Sequence, residues 1–369
     1  MSQASLPAAC PPRPAEPDTP QVGFPLDVSH PIPVDTGLTL AQWLRYWMAH
    51  HVAPHRARTT VYCYSNIVEK HLIPALGEVR LDALTPTLID GYYLWLNSEK
   101  GLSTNTVYKH HILLHTSLQQ AYRQGAVPDN PVNRATPPGT IPGRAHYYTP
   151  KQLAQLLAQV EGHPLELPVR LACNLGLRRG EILGLRWKDI DLQGGLVFIR
   201  QVRTTIAHRV VIKQPKTAGS RRTLAIGSLK GLLALLRELR RLRVRQDHLC
   251  GPDDYVVLDT RGQPWHPNSM TTTFTHFVAA CGLPPITLHG LRHTFASMAS
   301  NARVPMYQIS RAMGHSSPVT TQRIYTHLFD LTHGEVLAAV AAAIPLPKAS
   351  KRAPAAIARR RRKTMELGD

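Results

Sequence analysis

From Thr39 onward the apolar residues recur at spacings of three and four, and this helical period governs most of the chain. Leu40, Trp43, Leu44 and Trp47 open it, with Thr39 as the N-cap. The pattern predicts a second helix from about Thr59 to Leu72, ending before Pro74 and Gly77. A third follows the cap at Thr85 with Pro86 in its first turn and Ile89, Tyr93 and Leu96 inside. A fourth starts at Ser103 or Thr104, carries Val107, Leu114, Leu118 and Ala121, and stops near Gly125. Four helices with short connections make a helical domain over 38–126. Residues 127–148, with five Pro, two Gly and no period, read as a linker.

Beyond the linker the period briefly changes. Thr149-Pro150 cap a helix with Leu153, Leu156 and Leu157, and helical patterns continue through Leu165–Leu175 and Glu181–Leu185. Strand-like pieces then follow at Leu196–Arg203, Arg209–Ile212 and Arg222–Ile226, separated by turn residues. Helices resume at Ser228–Arg245, Asn268–Cys281, His289–Asn301, Pro305–Met313, Val319–Tyr325 and about Glu335–Ile344. The expected fold is mainly α with a small antiparallel sheet. Its second domain covers 149–345, between a disordered Pro-rich arm (1–37) and a basic tail (346–369).

Charge narrows the partner. The 369 residues carry 43 Lys and Arg against 24 Asp and Glu, a formal net charge of +19. The arm holds one basic residue against four acidic ones, and residues 348–369 are net +6, which leaves +16 on residues 38–347. A basic folded body, unlike a basic tail alone, implies a surface shaped for phosphates. No apolar run approaches a membrane span, and the start lacks the basic-then-apolar pattern of a secretory signal. Five Cys without a C-x-x-C pair exclude a disulfide framework and a cysteine zinc site. The expectation is a nucleic-acid-binding protein of a reducing compartment, with no membrane partner.

Neither a phosphate-binding Gly-rich loop, a dinucleotide fingerprint, H-E-x-x-H nor G-x-S-x-G is present, so nothing in the sequence suggests ATP, nicotinamide or a catalytic metal. The His111/His115 and His289/His293 pairs have helical spacing but no nearby acidic or Cys partner, and they carry no metal assignment. Four other clusters carry more chemistry. They are Gly176-Leu177-Arg178-Arg179-Gly180-Glu181, then Lys216-Thr217 with Arg221-Arg222, then His289-Gly290-Leu291-Arg292-His293, and finally Gly314-His315-Ser316-Ser317 followed by Tyr325. On a helix His289, Arg292 and His293 share a face. Two arginines clamp the non-bridging oxygens of a phosphodiester, a Lys protonates a departing oxygen, a His acts on the nucleophile's proton, and a Tyr attacks phosphorus.

In this order the clusters resemble the tyrosine recombinases, the lambda-integrase-like site-specific recombinases, over about Thr149–Leu328 and more weakly over Leu38–Arg123. The resemblance implies a helical, SAM-like core-binding domain followed by the catalytic domain. It implies Arg178, Lys216, His289, Arg292 and His315 as catalytic residues, Glu181 as a supporting acid and Tyr325 as the nucleophile. Arg179, Trp187 and His293 stay outside that set: Trp187 reads as core and His293 as a buried helical histidine.

The implied activity is a DNA strand transferase that cuts and rejoins DNA through a 3′-phosphotyrosyl intermediate without metal, ATP or other cofactor. Integration or excision of a phage or other mobile element is the leading role. Dimer resolution, a type IB topoisomerase and an inactive DNA-binding regulator are the alternatives. Expected partners are double-stranded DNA attachment sites, three further copies in a DNA-bound homotetramer, and an accessory excision factor. The apolar stripe Val336, Leu337, Val340 and Ile344 is read as a helix exchanged between protomers. The expected location is the bacterial cytoplasm, at the nucleoid.

Overall fold

The computed structural model describes residues 37–141, 146–215, 218–245 and 250–315. The Pro-rich arm, Lys216, Tyr325, the expected helices at 319–325 and 335–344, and the basic tail lie outside the described residues. The chain divides into two units, Met1–Ile141 and Pro142–Asp369.

The first unit is helical. Helix α1 (Leu40–Trp47) begins at the predicted cap, where Thr39 and Gln42 satisfy each other's backbone N–H groups in a capping box. It runs on through a wider, π-type turn at Met48–Val52. Helix α2 (Arg58–Ile67) likewise passes through a π-type turn at Val68–Leu72 into α3 (Ile73–Leu76). The helical path therefore continues past Pro74, where the sequence predicted a stop. The wider turn explains the difference: the N–H of Ile73 bonds five residues back to Val68, so the ladder is already shifted where Pro74 lacks a donor.

Helix α4 (Pro86–Ser98) starts at Thr85, whose hydroxyl accepts the Leu88 N–H, and α5 (Thr104–Arg123) is the long central helix. Their apolar stripes, including Trp43, Leu44, Ile89, Leu96, Leu114 and Leu118, form one core. Inside it the indole N–H of Trp43 donates to Ser117 Oγ at 2.9 Å. Part of the stretch expected as linker packs here too, since Val127, Val132 and Ala135 are buried in this core.

The second unit opens with α6 (Pro150–Gln159), capped by a Thr149/Gln152 box, and α7 (Glu166–Leu175), which ends at Gly176 with φ +61°. Only a residue free of a Cβ enters that left-handed conformation readily, and a Cβ there would also lie 2.7 Å from the Phe295 ring. Helix α8 (Arg179–Gly184) follows at once.

Then come β1 (Ile190–Asp191), β2 (Leu196–Ile199), β3 (Val202–Ile206), β4 (Arg209–Lys213) and β5 (Arg222–Ala225). They make two antiparallel sheets rather than one: β1-β2-β5 and the hairpin β3-β4. The run Leu196–Arg203, expected as a single strand, breaks at Arg200-Gln201. There the chain leaves one sheet and packs on α8, and Gln201 Nε2 donates to Gly184 O at 2.8 Å.

Helices α9 (Lys230–Arg245), α10 (Pro267–Ala280), α11 (Leu288–Asn301) and α12 (Met306–Met313) complete the unit. The core joins α7, α8, β2, α9, α10 and the start of α11, with Trp187 and Tyr148 inside it. No helix among the described residues is long and apolar enough to cross a membrane.

Candidate active site

The site is built where α7 ends, α8 begins, α11 passes and α12 stops. Arg178 occupies the N-cap of α8. Its backbone N–H donates to Glu181 Oε2 at 2.9 Å, and its Nη1 donates to Glu181 Oε1 at 2.9 Å. A carboxylate in the first helical turn also faces the positive end of the helix dipole. The remaining arm of the guanidinium, Nη2, donates to Gly314 O just past α12, at 3.0 Å. Arg179 turns the other way, to Thr271 Oγ1 at 2.6 Å and Pro267 O on α10.

Glu181 is 2% exposed. Burial works against its charge, but the hydrogen bonds and charge of Arg222, the Arg178 amide and the Arg178 charge hold the carboxyl below its usual range. Arg222 was not assigned a role from the sequence. It makes a two-pronged contact with Glu181, Nη2 to Oε2 at 3.0 Å and Nη1 to Oε1 at 3.1 Å. Its place in the cluster with Lys216 draws notice to it, and strand alternation adds the direction: Arg222 and Leu224 turn to the same side of β5, and Leu224 packs on the core.

Helix α11 brings His289 and Arg292 one turn apart. Arg292 is fully buried, and its Nη1 donates to Gly176 O, two residues before Arg178. The rings of His289 and His293 meet edge to face, 4.7 Å between centroids. Helix α12 ends at Gly314, φ +67°, which turns the chain so that His315 follows directly.

The three imidazoles share one electrostatic setting. Burial, then Arg292 and Arg178, lower His289. Burial, His289 and Arg292 push His293 down to about 4. Burial together with Arg292, Arg178, His289 and His293 pushes His315 down to about 3. All three are therefore neutral at neutral pH and able to accept a proton.

Arg178, Glu181, His289, Arg292 and His315 thus converge. Lys216 lies outside the described residues, but the turn just after it approaches the same place: a Cβ on Gly219 would sit 3.9 Å from His315 O, and Ser220 Oγ donates to Gly314 O at 3.5 Å. Among the described residues no group of three or more His, Cys, Asp or Glu is placed to hold a metal ion.

Comparison with known proteins agrees with this architecture. The phage integrase family matches residues 146–331, and its SAM-like domain matches residues 42–136. The chain belongs to the phage integrase family, whose members are tyrosine recombinases.

A tyrosine recombinase XerC-like protein of Caldanaerobacter subterraneus subsp. tengcongensis is 26% identical over 79% of this chain and 80% of the relative. The integrase of Mycobacterium phage L5 is 23% identical over 77% of this chain and 74% of the relative. Among solved structures, the Tn1549 transposon integrase in complex with a circular intermediate DNA superposes with a TM-score of 0.71 at 19% identity, covering 83% of this chain and 100% of that one. A lambda integrase tetramer bound to a Holliday junction gives 0.60 at 18% identity, covering 79% and 78%.

Proposed function

We propose that this tyrosine recombinase cuts and rejoins double-stranded DNA at attachment sites through a 3′-phosphotyrosyl intermediate, to integrate or excise a phage or other mobile element. One observation carries the chemistry: two guanidiniums and two neutral imidazoles, from α8, α11 and the end of α12, converge, Arg178 reaching the Gly314 carbonyl directly before His315 and Arg292 the Gly176 carbonyl two residues before Arg178.

Arg178 and Arg292 clamp the non-bridging oxygens as phosphorus becomes pentacoordinate. The Oη of Tyr325 attacks phosphorus while its proton passes to a neutral imidazole, His289 or His315. The bond from phosphorus to the 5′ oxygen breaks, and Lys216 supplies the proton to that leaving oxygen. One phosphate ester replaces another, so the bond is conserved for rejoining when a 5′-hydroxyl attacks the phosphotyrosine. Glu181 holds Arg178 in place.

The net charge of +19, most of it between residues 38 and 347, supports a duplex as partner. The names of the relatives support a mobile element: several are integrases of mycobacterial phages. Solved relatives bound to DNA as dimers and as a tetramer support assembly of four copies on DNA.

The test is a nicked suicide duplex carrying an attachment site, sought as short direct repeats in the DNA flanking the chain's gene. The wild-type chain is expected to accumulate a covalent protein–DNA adduct, and Tyr325→Phe to bind the duplex without forming one. An adduct that survives Tyr325→Phe would overturn the assignment.

A further inference from the structure

The side chain of Arg222 is 7% exposed, and all three of its guanidinium nitrogens are engaged by protein oxygens, so it ties three elements together. Nη1 and Nη2 grip the two oxygens of Glu181 on α8. Nε donates to Ala312 O in the last turn of α12 at 2.7 Å, and Nη1 reaches Ser220 O at 3.3 Å. Each Glu181 oxygen is shared: Oε1 takes Nη1 of both Arg178 and Arg222, and Oε2 takes the Arg178 amide and Arg222 Nη2.

The circuit closes through Gly314, whose carbonyl accepts Arg178 Nη2 and whose α-carbon lies against Arg222. A Cβ added to Gly314 would come within 2.7 Å of Arg222 Nη1.

We propose that Arg222 is a positioning residue for strand cleavage, fixing Arg178 through Glu181 and fixing His315 through the end of α12. The proposal rests on the phosphotyrosyl reading above. Two consequences follow from the geometry. Glu181 is rigid because two guanidiniums grip it from different elements, so Arg178 meets an oriented partner rather than a swinging one. The second cation also shares the Glu181 charge, leaving more of Arg178's charge for a phosphate. Lys at 222 would restore the charge but not the fork, because an ammonium is a point donor and cannot span Glu181 and Ala312 O together.

The experiment uses the full chain and the same suicide duplex, with Arg222→Gln and Arg222→Lys. Both are expected to bind the duplex with wild-type affinity and to form the adduct about 10²-fold more slowly, the usual penalty for misplacing a reacting group by about an ångström. A duplex with a methylphosphonate at the scissile position separates positioning from general loosening. That linkage lacks the negative charge that Arg178 serves, so the ratio of wild-type to variant rates should shrink on it.

A ratio unchanged on the neutral linkage, or Arg222→Lys cleaving at the wild-type rate, would overturn the proposal. Should Arg222→Gln fail to fold, Arg222→Lys carries the same comparison. Absence of any adduct from the wild-type chain would instead count against the phosphotyrosyl reading itself.

Discussion

A carboxylate as buried as Glu181 persists only because its charge is answered from two sides. Truncating it leaves Arg222, itself almost fully buried, with backbone carbonyls alone. Glu181→Ala is therefore expected to lower the unfolding free energy of the second unit by about 3–5 kcal/mol. Glu181→Gln keeps the shape but loses the charge and sets an amide nitrogen against N–H donors, so it should cost a comparable amount, and urea denaturation of the two variants checks both. This residue shows what a sequence reveals and what it withholds. Arg178 with Glu181, and His289 with Arg292, are spaced by three residues on helices, so local periodicity puts each pair together. Arg222 lies 41 positions from Glu181 along the chain, and nothing in its neighbourhood names its partner. Only the fold brings β5 against α8.

Among the elements, α8 is short and glycine-rich because a strand passes close against it. A Cβ on Gly180 would lie 2.6 Å from Val202 Cγ1, and one on Gly184 would lie 2.8 Å from Gln201 O. The second contact is with backbone, which cannot swing aside. Alanine normally stabilises a helix interior relative to glycine by about 0.8–1.0 kcal/mol, but Gly184 is the last residue of α8 and its contact should make alanine unfavourable. Gly184→Ala is expected to destabilise the unit by about 1–3 kcal/mol, as overpacked sites do. Thermal unfolding followed by circular dichroism checks it, and a stabilised variant would mean that β3 can retreat.

The same contact explains where the strand pattern misled. Helix starts were legible because Thr39, Thr85 and Thr149 each cap by a local hydrogen bond. The break between β2 and β3 was not, because it serves a distant helix and leaves the alternation of Leu196–Arg203 unmarked. Likewise Pro74 punctuates the sequence as a stop, whereas the π-type turn before it is a property of the packed helix.

At the scale of the whole chain, the two units have separate cores, and each holds histidines that folding keeps neutral. In the first, burial and the neighbouring His71 push His110 down to about 4, while its Nδ1 pairs with Tyr92 Oη at 2.8 Å. In the second, His293 and His315 are pushed down to about 4 and about 3. A histidine whose folded pKa lies below its unfolded value of about 6.5 supports the fold fully above that value. The support drains as pH falls from there through the folded pKa, because the unfolded chain takes up protons first. Both units should therefore lose stability between about pH 6.5 and pH 4, with no gain from these groups above neutrality. Calorimetry across that range checks it, and His110→Gln should flatten the slope in the first unit only.

Bound DNA should act on the second unit in the opposite sense. On the proposed reading, a phosphate seated between Arg178 and Arg292 offsets the positive charges that, second to burial, depress His289 and His315, so their pKa values rise on binding and protons are taken up. By linkage, acid then strengthens binding while it weakens the free fold. A saturating duplex is accordingly expected to raise the Tm of the second unit more at about pH 5.5 than at about pH 7.5. Titration calorimetry in two buffers of different ionisation enthalpy should register the proton uptake. His315→Asn should reduce that uptake, because it removes one of the two imidazoles that both Arg178 and Arg292 depress.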